Sequence, residues 1–315
     1  MQFSVYQESH LGAREVNQDR MGYSFTRDAL LLVLADGMGG HLRGEVAAQL
    51  ALQTICALFR QQATPYVKGP ERFLRDACMA AHREIHRYAA LQRMPDTPRT
   101  TVVVCLVQHG AATWAHCGDS RLYWLREGRL LARTRDHSHI ETLIGRGKMP
   151  ASARATHPDR NQLYNCLGGA MAPQVEVAQR ASLRPGDTML LCSDGLWAAL
   201  DEHELVDTLS TCAVIDAVPA LLRSALRRGD DAADNATGLA ITWQGGAGAE
   251  GMATEVMPEV MPEAIPATMP EAPLEAAGTP RPDAGAGPDP FDDEQIDRAI
   301  AEIRMAIEKS SQLLR

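Results

Sequence analysis

What the 315-residue sequence lacks narrows its class before any motif is read. No stretch approaches the roughly 20 apolar residues that cross a bilayer, and the apolar run from Leu30 to Ala35 is far too short. The first residues, Met1-Gln2-Phe3-Ser4-Val5, carry neither the basic start nor the apolar core of a secretory signal. A basic excess is missing as well. The formal net charge is −9, without the cationic footprint of a nucleic-acid binder. The seven cysteines (56, 78, 105, 117, 166, 192 and 212) form no CxxC pair and show no Cys/His spacing suited to zinc. An odd number scattered through apolar segments reads as free thiols in the core of a cytoplasmic protein. A membrane span and a nucleic-acid partner are therefore both excluded from the expectation.

What is present is the composition of a folded domain, 45% hydrophobic and 23% charged. Residues 1–244 alternate short apolar runs with amphipathic stretches. The pattern predicts helices over Leu42–Phe59, Glu71–Leu91, Glu202–Leu209 and Val214–Arg228. It predicts strands over Leu30–Ala35, Thr101–Val107, Ala112–Cys117, Arg121–Leu125, Thr188–Cys192 and Gly238–Trp243. The three central strands are close enough to suggest an antiparallel meander, and the polar residues 139–170 read as a flap. Strands and helices come in blocks rather than in strict alternation, which argues for α+β layers. Residues 245–290 turn to Ala, Pro, Glu, Met and Gly with a loose Met-Pro-Glu refrain, the composition of an extended linker. Residues 291–315 then read as an amphipathic helix, capped at Asp289-Pro290 and striped by Ile296, Ile300, Ile303 and Ile307.

Four aspartates share one context. Asp36, Asp119 and Asp194 each end an apolar strand next to glycine, and Asp234 sits just before one. A strand end fixes a carboxylate in space, and at Gly37 the missing side chain also opens the backbone carbonyl to a cation. Oxygen donors of this kind suit Mg²⁺ and Mn²⁺. Two such ions about 3.5–4 Å apart can acidify a water and clamp a phosphoryl oxygen. A single Asp-Gly pair can equally be a turn, but four strand-end aspartates in one domain point to metal.

The ordered motifs Arg14-Glu15-Val16-Asn17-Gln18-Asp19, Ala35-Asp36-Gly37-Met38-Gly39-Gly40-His41, Thr100-Thr101, Gly118-Asp119-Ser120-Arg121, Thr134-Arg135-Asp136-His137-Ser138, Ser193-Asp194-Gly195-Leu196-Trp197 and Asp234-Asn235-Ala236-Thr237 resemble the type 2C protein phosphatases, in their bacterial form. The resemblance covers nearly all of residues 1–243. It implies a four-layer αββα sandwich with the metals at one end, and hydrolysis of phosphoserine and phosphothreonine by a hydroxide bridging two divalent ions. Carried over by position, Asp36 and the Gly37 carbonyl, with Asp194 and Asp234, would hold the core pair. Asp119, with Asp194, would hold a third ion. Asp19 would lie beside the centre as a ligand or through a metal-bound water, and Arg14 would grip the phosphate. The seven cysteines show no Cys-x5-Arg arrangement, so no thiol nucleophile is implied. A binding-only pseudophosphatase of the same fold is the alternative, and a dinuclear hydrolase of nucleotides or sugar phosphates is a third.

The sequence departs from the better-known eukaryotic members at Gln18, in place of a glutamate ligand, and at Met38, in place of a histidine. His41 reads as a helix-start residue, His116 and His137 as structural, and Arg99 as a surface change. The tail helix reads as a docking element for a kinase or substrate scaffold, with a helix folded back on the catalytic domain as the alternative. Deleting residues 245–315 is expected to spare hydrolysis of a small aryl phosphate, checked by initial rates. Loss of that activity would assign the tail to the catalytic fold.

Overall fold

The computed structural model describes residues 1–38, 43–150, 154, 157, 159, 162–178 and 180–245. Most of the expected linker, from 246, and the expected tail helix 291–315 lie outside the described residues, as does His41.

Two antiparallel sheets face one another. One runs in the order β1 (Gln2–His10), β11 (Ala236–Gly245), β10 (Thr188–Cys192), β6 (Arg121–Arg126), β7 (Arg129–Arg133). The other runs β2 (Asp19–Phe25), β3 (Ala29–Asp36), β4 (Val102–Gln108), β5 (Ala111–Cys117), β8 (Glu176–Val177), with β9 (Ala181–Ser182) also on β5. Helices α1 (Gly44–Gln62) and α2 (Pro70–Leu91) cover the second sheet. Helices α5 (Glu202–Thr211) and α6 (Val214–Gly229) cover the first. The short helices α3 (His139–Gly145) and α4 (Asp194–Trp197) follow the strand ends. Among the described residues no helix is long and apolar enough to cross a membrane.

The αββα layering explains why β3, β4 and β5 read as unbroken apolar runs. A sheet covered on both faces has no solvent side to alternate toward. Leu30, Leu32 and Leu34 of β3 meet Met189, Leu191, Leu239 and Ile241 across the space between the sheets, while Leu31 and Val33, on the opposite face, are equally buried. Strands β1 and β2 gave no such signal. They carry polar residues throughout, and nearly all of their positions are only half-buried.

The expected meander does not form as a single sheet. Strand β5 pairs with β4, whereas β6 pairs with β10 and β7 in the other sheet. The turn Gly118-Asp119-Ser120 therefore carries the chain across the sandwich. Gly118 holds φ +112°, and a Cβ there would meet Thr101 Cβ at 2.6 Å, so only glycine makes this crossing without strain. The cysteines also depart from expectation: Cys212 is exposed and Cys166 half-buried, with the other five in the core.

Strand β11 pairs with β1 down to Gly245 opposite Gln2, so a truncation that keeps the sheet whole begins after Gly245. The sheet end is pinned by Asp187, fully buried, which accepts from Arg126 Nε at 2.7 Å, Trp124 Nε1 at 3.1 Å and the Arg184 N–H at 2.9 Å. Removing it would strand three donors, one of them a cation. Asp187→Ala is expected to cost about 3 kcal/mol, measured by urea unfolding, and an unchanged midpoint would count against this assignment.

Candidate metal centre

Register sets the core of the site. Asp19 at the start of β2 and Asp36 at the end of β3 are direct partners across the pair. Ser193 follows β10 as the cap of α4, Asp194 opens α4, and Asp234 leads into β11, all at the end of the opposing sheet. Asp119 lies in the turn between the sheets. The expected carboxylates therefore converge from both sheets onto one end of the sandwich, where they act strongly on one another.

Asp19 is 4% exposed. Its Oδ2 accepts from Ser193 Oγ at 2.7 Å and Thr237 Oγ1 at 2.6 Å, whereas its buried Oδ1 has no hydrogen-bond donor. Burial pushes its carboxyl up to about 7; the two hydroxyls oppose this and the charge of Asp194 adds to it. Asp36 is raised well above the usual carboxylate range, first by burial and then by Asp19, Asp194 and Asp119. Asp119 is raised by burial and by the charges of Asp194 and Asp136. Asp194 rises to about 6, from burial and from Asp234. Like charges about 4 Å apart repel by about 4 kcal/mol at an effective dielectric near 20. Such a cluster needs protons or cations. An orphaned buried carboxylate oxygen amid all-oxygen donors fits a hard divalent ion.

The backbone around Asp36 is held from three sides. Its carbonyl accepts from Thr101 N–H and Thr100 Oγ1, each at 2.8 Å, and its N–H donates to Thr101 Oγ1. Thr101 Oγ1 in turn meets Ser120 Oγ at 2.6 Å, beside Asp119. Gly37 packs against the backbone of Gly44 so closely that a Cβ would collide with it. Its N–H donates to Gln18 O at 3.1 Å.

Behind Asp119 lies a second buried construction. The Arg121 guanidinium, 3% exposed, donates from Nε and Nη2 to the two oxygens of Asp136, both at 2.7 Å. It also donates to Tyr123 Oη and lies 3.4 Å from the centroid of Trp197. Trp197 Nε1 donates to the Asp119 carbonyl at 3.0 Å. The turn that carries Asp119 is thus anchored by an ion pair out of water.

Arg14 stands at the mouth with its side chain 55% exposed and forms a two-point bond to Asp234, at 2.9 and 2.7 Å. That bond, before any other cause, raises its pKa further. The same planar fork matches phosphate oxygens. Gln18 turns its amide to Glu45 of α1 at 3.4 Å, and its N–H donates to Asn235 Oδ1. Arg99 reaches the surface only in part: its side chain is 31% exposed and pairs with Asp96 at 3.7 Å. Its carbonyl accepts the Met38 N–H at 3.0 Å and its Nε is buried without a partner. Ser193, Thr237 and Thr101, which support the carboxylates, stood next to the aspartates in the motifs but had no role that spacing could reveal. Glu45 gave no signal.

His116, His137 and Glu176 bring three possible ligand atoms within 4.8 Å of one another. His137 Nδ1, however, accepts from Asn165 Nδ2 at 2.7 Å and from the Gly118 N–H, which leaves the proton on Nε2, facing Glu176. His116 Nε2 donates to Arg135 O at 2.7 Å, and the two rings stack with centroids 4.5 Å apart. These histidines buttress the Asp119 turn, the structural role expected of them.

Residues 6–225 match the family described as Protein phosphatase 2C. The serine/threonine protein phosphatase PstP of Mycobacterium tuberculosis is 32% identical over 209 residues, 66% of this chain and 39% of that one. The chain thus spans well under half the length of this curated relative. The serine/threonine phosphatase stp of Listeria welshimeri is 30% identical over 200 residues, covering 63% of this chain and 79% of that protein. A PstP catalytic domain solved in complex with two manganese ions superposes with a TM-score of 0.64 at 29% identity, covering 76% of this chain and 97% of that one.

The raised carboxyls fix the sign of a pH effect. A carboxyl with a folded pKa above its unfolded value near 3.9 holds its proton more tightly when folded, so stability falls as pH rises through about 6–7. In EDTA the melting temperature is expected to be about 5–10 °C lower at pH 8 than at pH 5. Millimolar Mn²⁺ should remove the difference by binding the native state. Scanning calorimetry checks this, and a metal-independent profile that rises with pH would contradict the site.

Proposed function

The chain belongs to the protein phosphatase 2C family, and from that premise we propose that it is a metal-dependent protein serine/threonine phosphatase that hydrolyses phosphoserine and phosphothreonine esters. The observation that carries the reading is the convergence of Asp19, Asp36, Asp119, Asp194 and Asp234, with one buried carboxylate oxygen of Asp19 left without a donor. A protein that only bound phosphoproteins would have no use for so destabilising a cluster.

Asp36, the Gly37 carbonyl, Asp194 and Asp234 would hold two Mn²⁺ or Mg²⁺ ions, and Asp119 with Asp194 would hold a third. When bound, the ions would supply an acidified water for attack on phosphorus and positive charge for the phosphoryl oxygens. The protein's own part is positional. Ser193 and Thr237 fix one oxygen of Asp19 and so aim the other at the cluster. Thr100 and Thr101 hold the Asp36 backbone. Arg14, half-exposed and resting on Asp234, is free to exchange that carboxylate for a phosphate and to balance charge as the alkoxide leaves. Met38 supplies no proton for the leaving group. The same reading gives the protein a cytoplasmic signalling role opposite a Ser/Thr kinase, with the 291–315 stripe as a docking helix for a kinase or scaffold.

Asp36→Asn and Asp194→Asn are each expected to lower Mn²⁺-dependent phosphate release from a phosphothreonine peptide by at least about 100-fold. Arg14→Met should raise KM and also lower kcat, because the same guanidinium binds the phosphate and balances charge on the leaving group. Absence of metal-dependent turnover in the parent protein, or full turnover in both aspartate variants, would overturn the proposal.

A further inference from the structure

Beside the Asp119 turn lies a cavity of about 250 Å³ lined by Arg135, His137, Arg146, Tyr164 and Glu176, with Asp136, Thr142 and Gly145. Nothing in the proposed chemistry uses it. Its charges can be counted one by one. Asp136 is consumed by Arg121. Glu141, buried, accepts from Arg154 at 2.7 Å and lies 3.8 Å from Arg135, so two guanidinium groups share one carboxylate. Arg135 is nonetheless 56% exposed. It donates to the Glu141 carbonyl at 2.9 Å and lies flat against Gly145, where any side chain would displace it. Arg146 is exposed and makes no side-chain hydrogen bond or ion pair among the described residues. Against these cations stands Glu176, 61% exposed and facing His137 at 3.4 Å. Among the described residues the balance at the opening is one uncompensated positive charge, with one guanidinium fixed in place and one without a partner.

Two routes tie this cavity to the carboxylate cluster. His137 exchanges hydrogen bonds with Gly118, the residue before Asp119. Tyr164 donates its N–H to His137 O, and three residues on Leu167 bridges Thr100, which holds the Asp36 carbonyl. The cavity and the cluster therefore open at the same end of the sandwich. The lining is aromatic as well as cationic, since Tyr164 is 61% exposed. Apolar surface beside a fixed guanidinium suits a peptide better than a free ion.

We propose that this cavity is a subsite for an acidic side chain of the protein substrate, a carboxylate or a second phosphoester, flanking the phosphorylated residue. The proposal rests on the phosphatase reading. Arg135, placed by Gly145 and Glu141, gives the fixed contact, and Arg146 closes on the anion from the opposite side. Glu176 sets the threshold by repelling weakly acidic occupants.

The test uses the full chain with Mn²⁺, a set of phosphothreonine peptides and para-nitrophenyl phosphate. Each peptide carries one Glu, phosphoserine, Ala or Lys at one of the four positions on either side of the phosphothreonine. The parent protein is expected to favour Glu or phosphoserine over Lys in kcat/KM by about fivefold at one position, the reach of a partly exposed ion pair. The Glu and phosphoserine arms separate a carboxylate site from a phosphate site. Arg146→Glu should abolish the preference and Glu176→Gln should strengthen it, with aryl phosphate turnover unchanged within about twofold. Hydrolysis without charge preference, or a preference untouched in both Arg146→Glu and Arg135→Met, overturns the subsite alone. No hydrolysis of either substrate overturns the phosphatase reading and the subsite with it.

Discussion

Carboxylates brought together out of water repel, and much of this molecule answers to that repulsion. Burial denies Asp19, Asp36, Asp119 and Asp194 solvent and their charges raise one another's affinity for protons, an effect that Arg121 opposes at Asp119 and Arg14 at Asp194 without reversing it. Arg14 touches only the outermost of the expected ligands, Asp234. The fold holds the arrangement by spending structure around it: hydroxyls on one oxygen of Asp19, two threonines on the Asp36 backbone, and a buried arginine–aspartate pair behind Asp119. Each support fixes position without supplying neutralising charge, so the cluster keeps its appetite for metal.

How much of this was legible in the sequence follows from the physics of each element. Strands β3, β4 and β10 were plain because burial on both faces strips them of polar residues. The strand-end aspartates stood out for the opposite reason, a charge placed where an apolar run stops beside glycine. Strands β1 and β2 were missed because only one face of each is well covered and their sequences are mostly polar. The sheet assignment of β6 was out of reach. A short turn between two apolar runs looks like a hairpin, and only the left-handed conformation of Gly118, fixed by the nearness of Thr101, shows that the chain crosses from one sheet to the other.

Within the site, ligand types were readable and supports were not. A serine or threonine that steadies a carboxylate has no periodicity, and its partner lies on another strand: Thr237 is 218 residues from Asp19. Arg99 was read only in part, for a related reason. What it brings to the site is a backbone carbonyl, which side-chain chemistry cannot announce. The two histidines near Asp119, read as structural, make hydrogen bonds to backbone and amide groups, and His137 also faces the Glu176 carboxylate.

The two sheets meet at the site through unlike contributions. Asp19 and Asp36 belong to one, Asp194 and Asp234 to the other, and the Asp119 turn spans the seam. Any sliding of one sheet over the other therefore changes the spacing of these carboxylates directly. The layer that sets that sliding is the packing between the sheets, where Cys105 Sγ meets Met189 Sδ at 4.0 Å and Leu34, Leu191 and Leu239 share one cluster. The hydrophobic interior thus works as a vernier for the acidic cluster: the size of a side chain buried deep in the sandwich is also a setting of the distance between carboxylates at its rim.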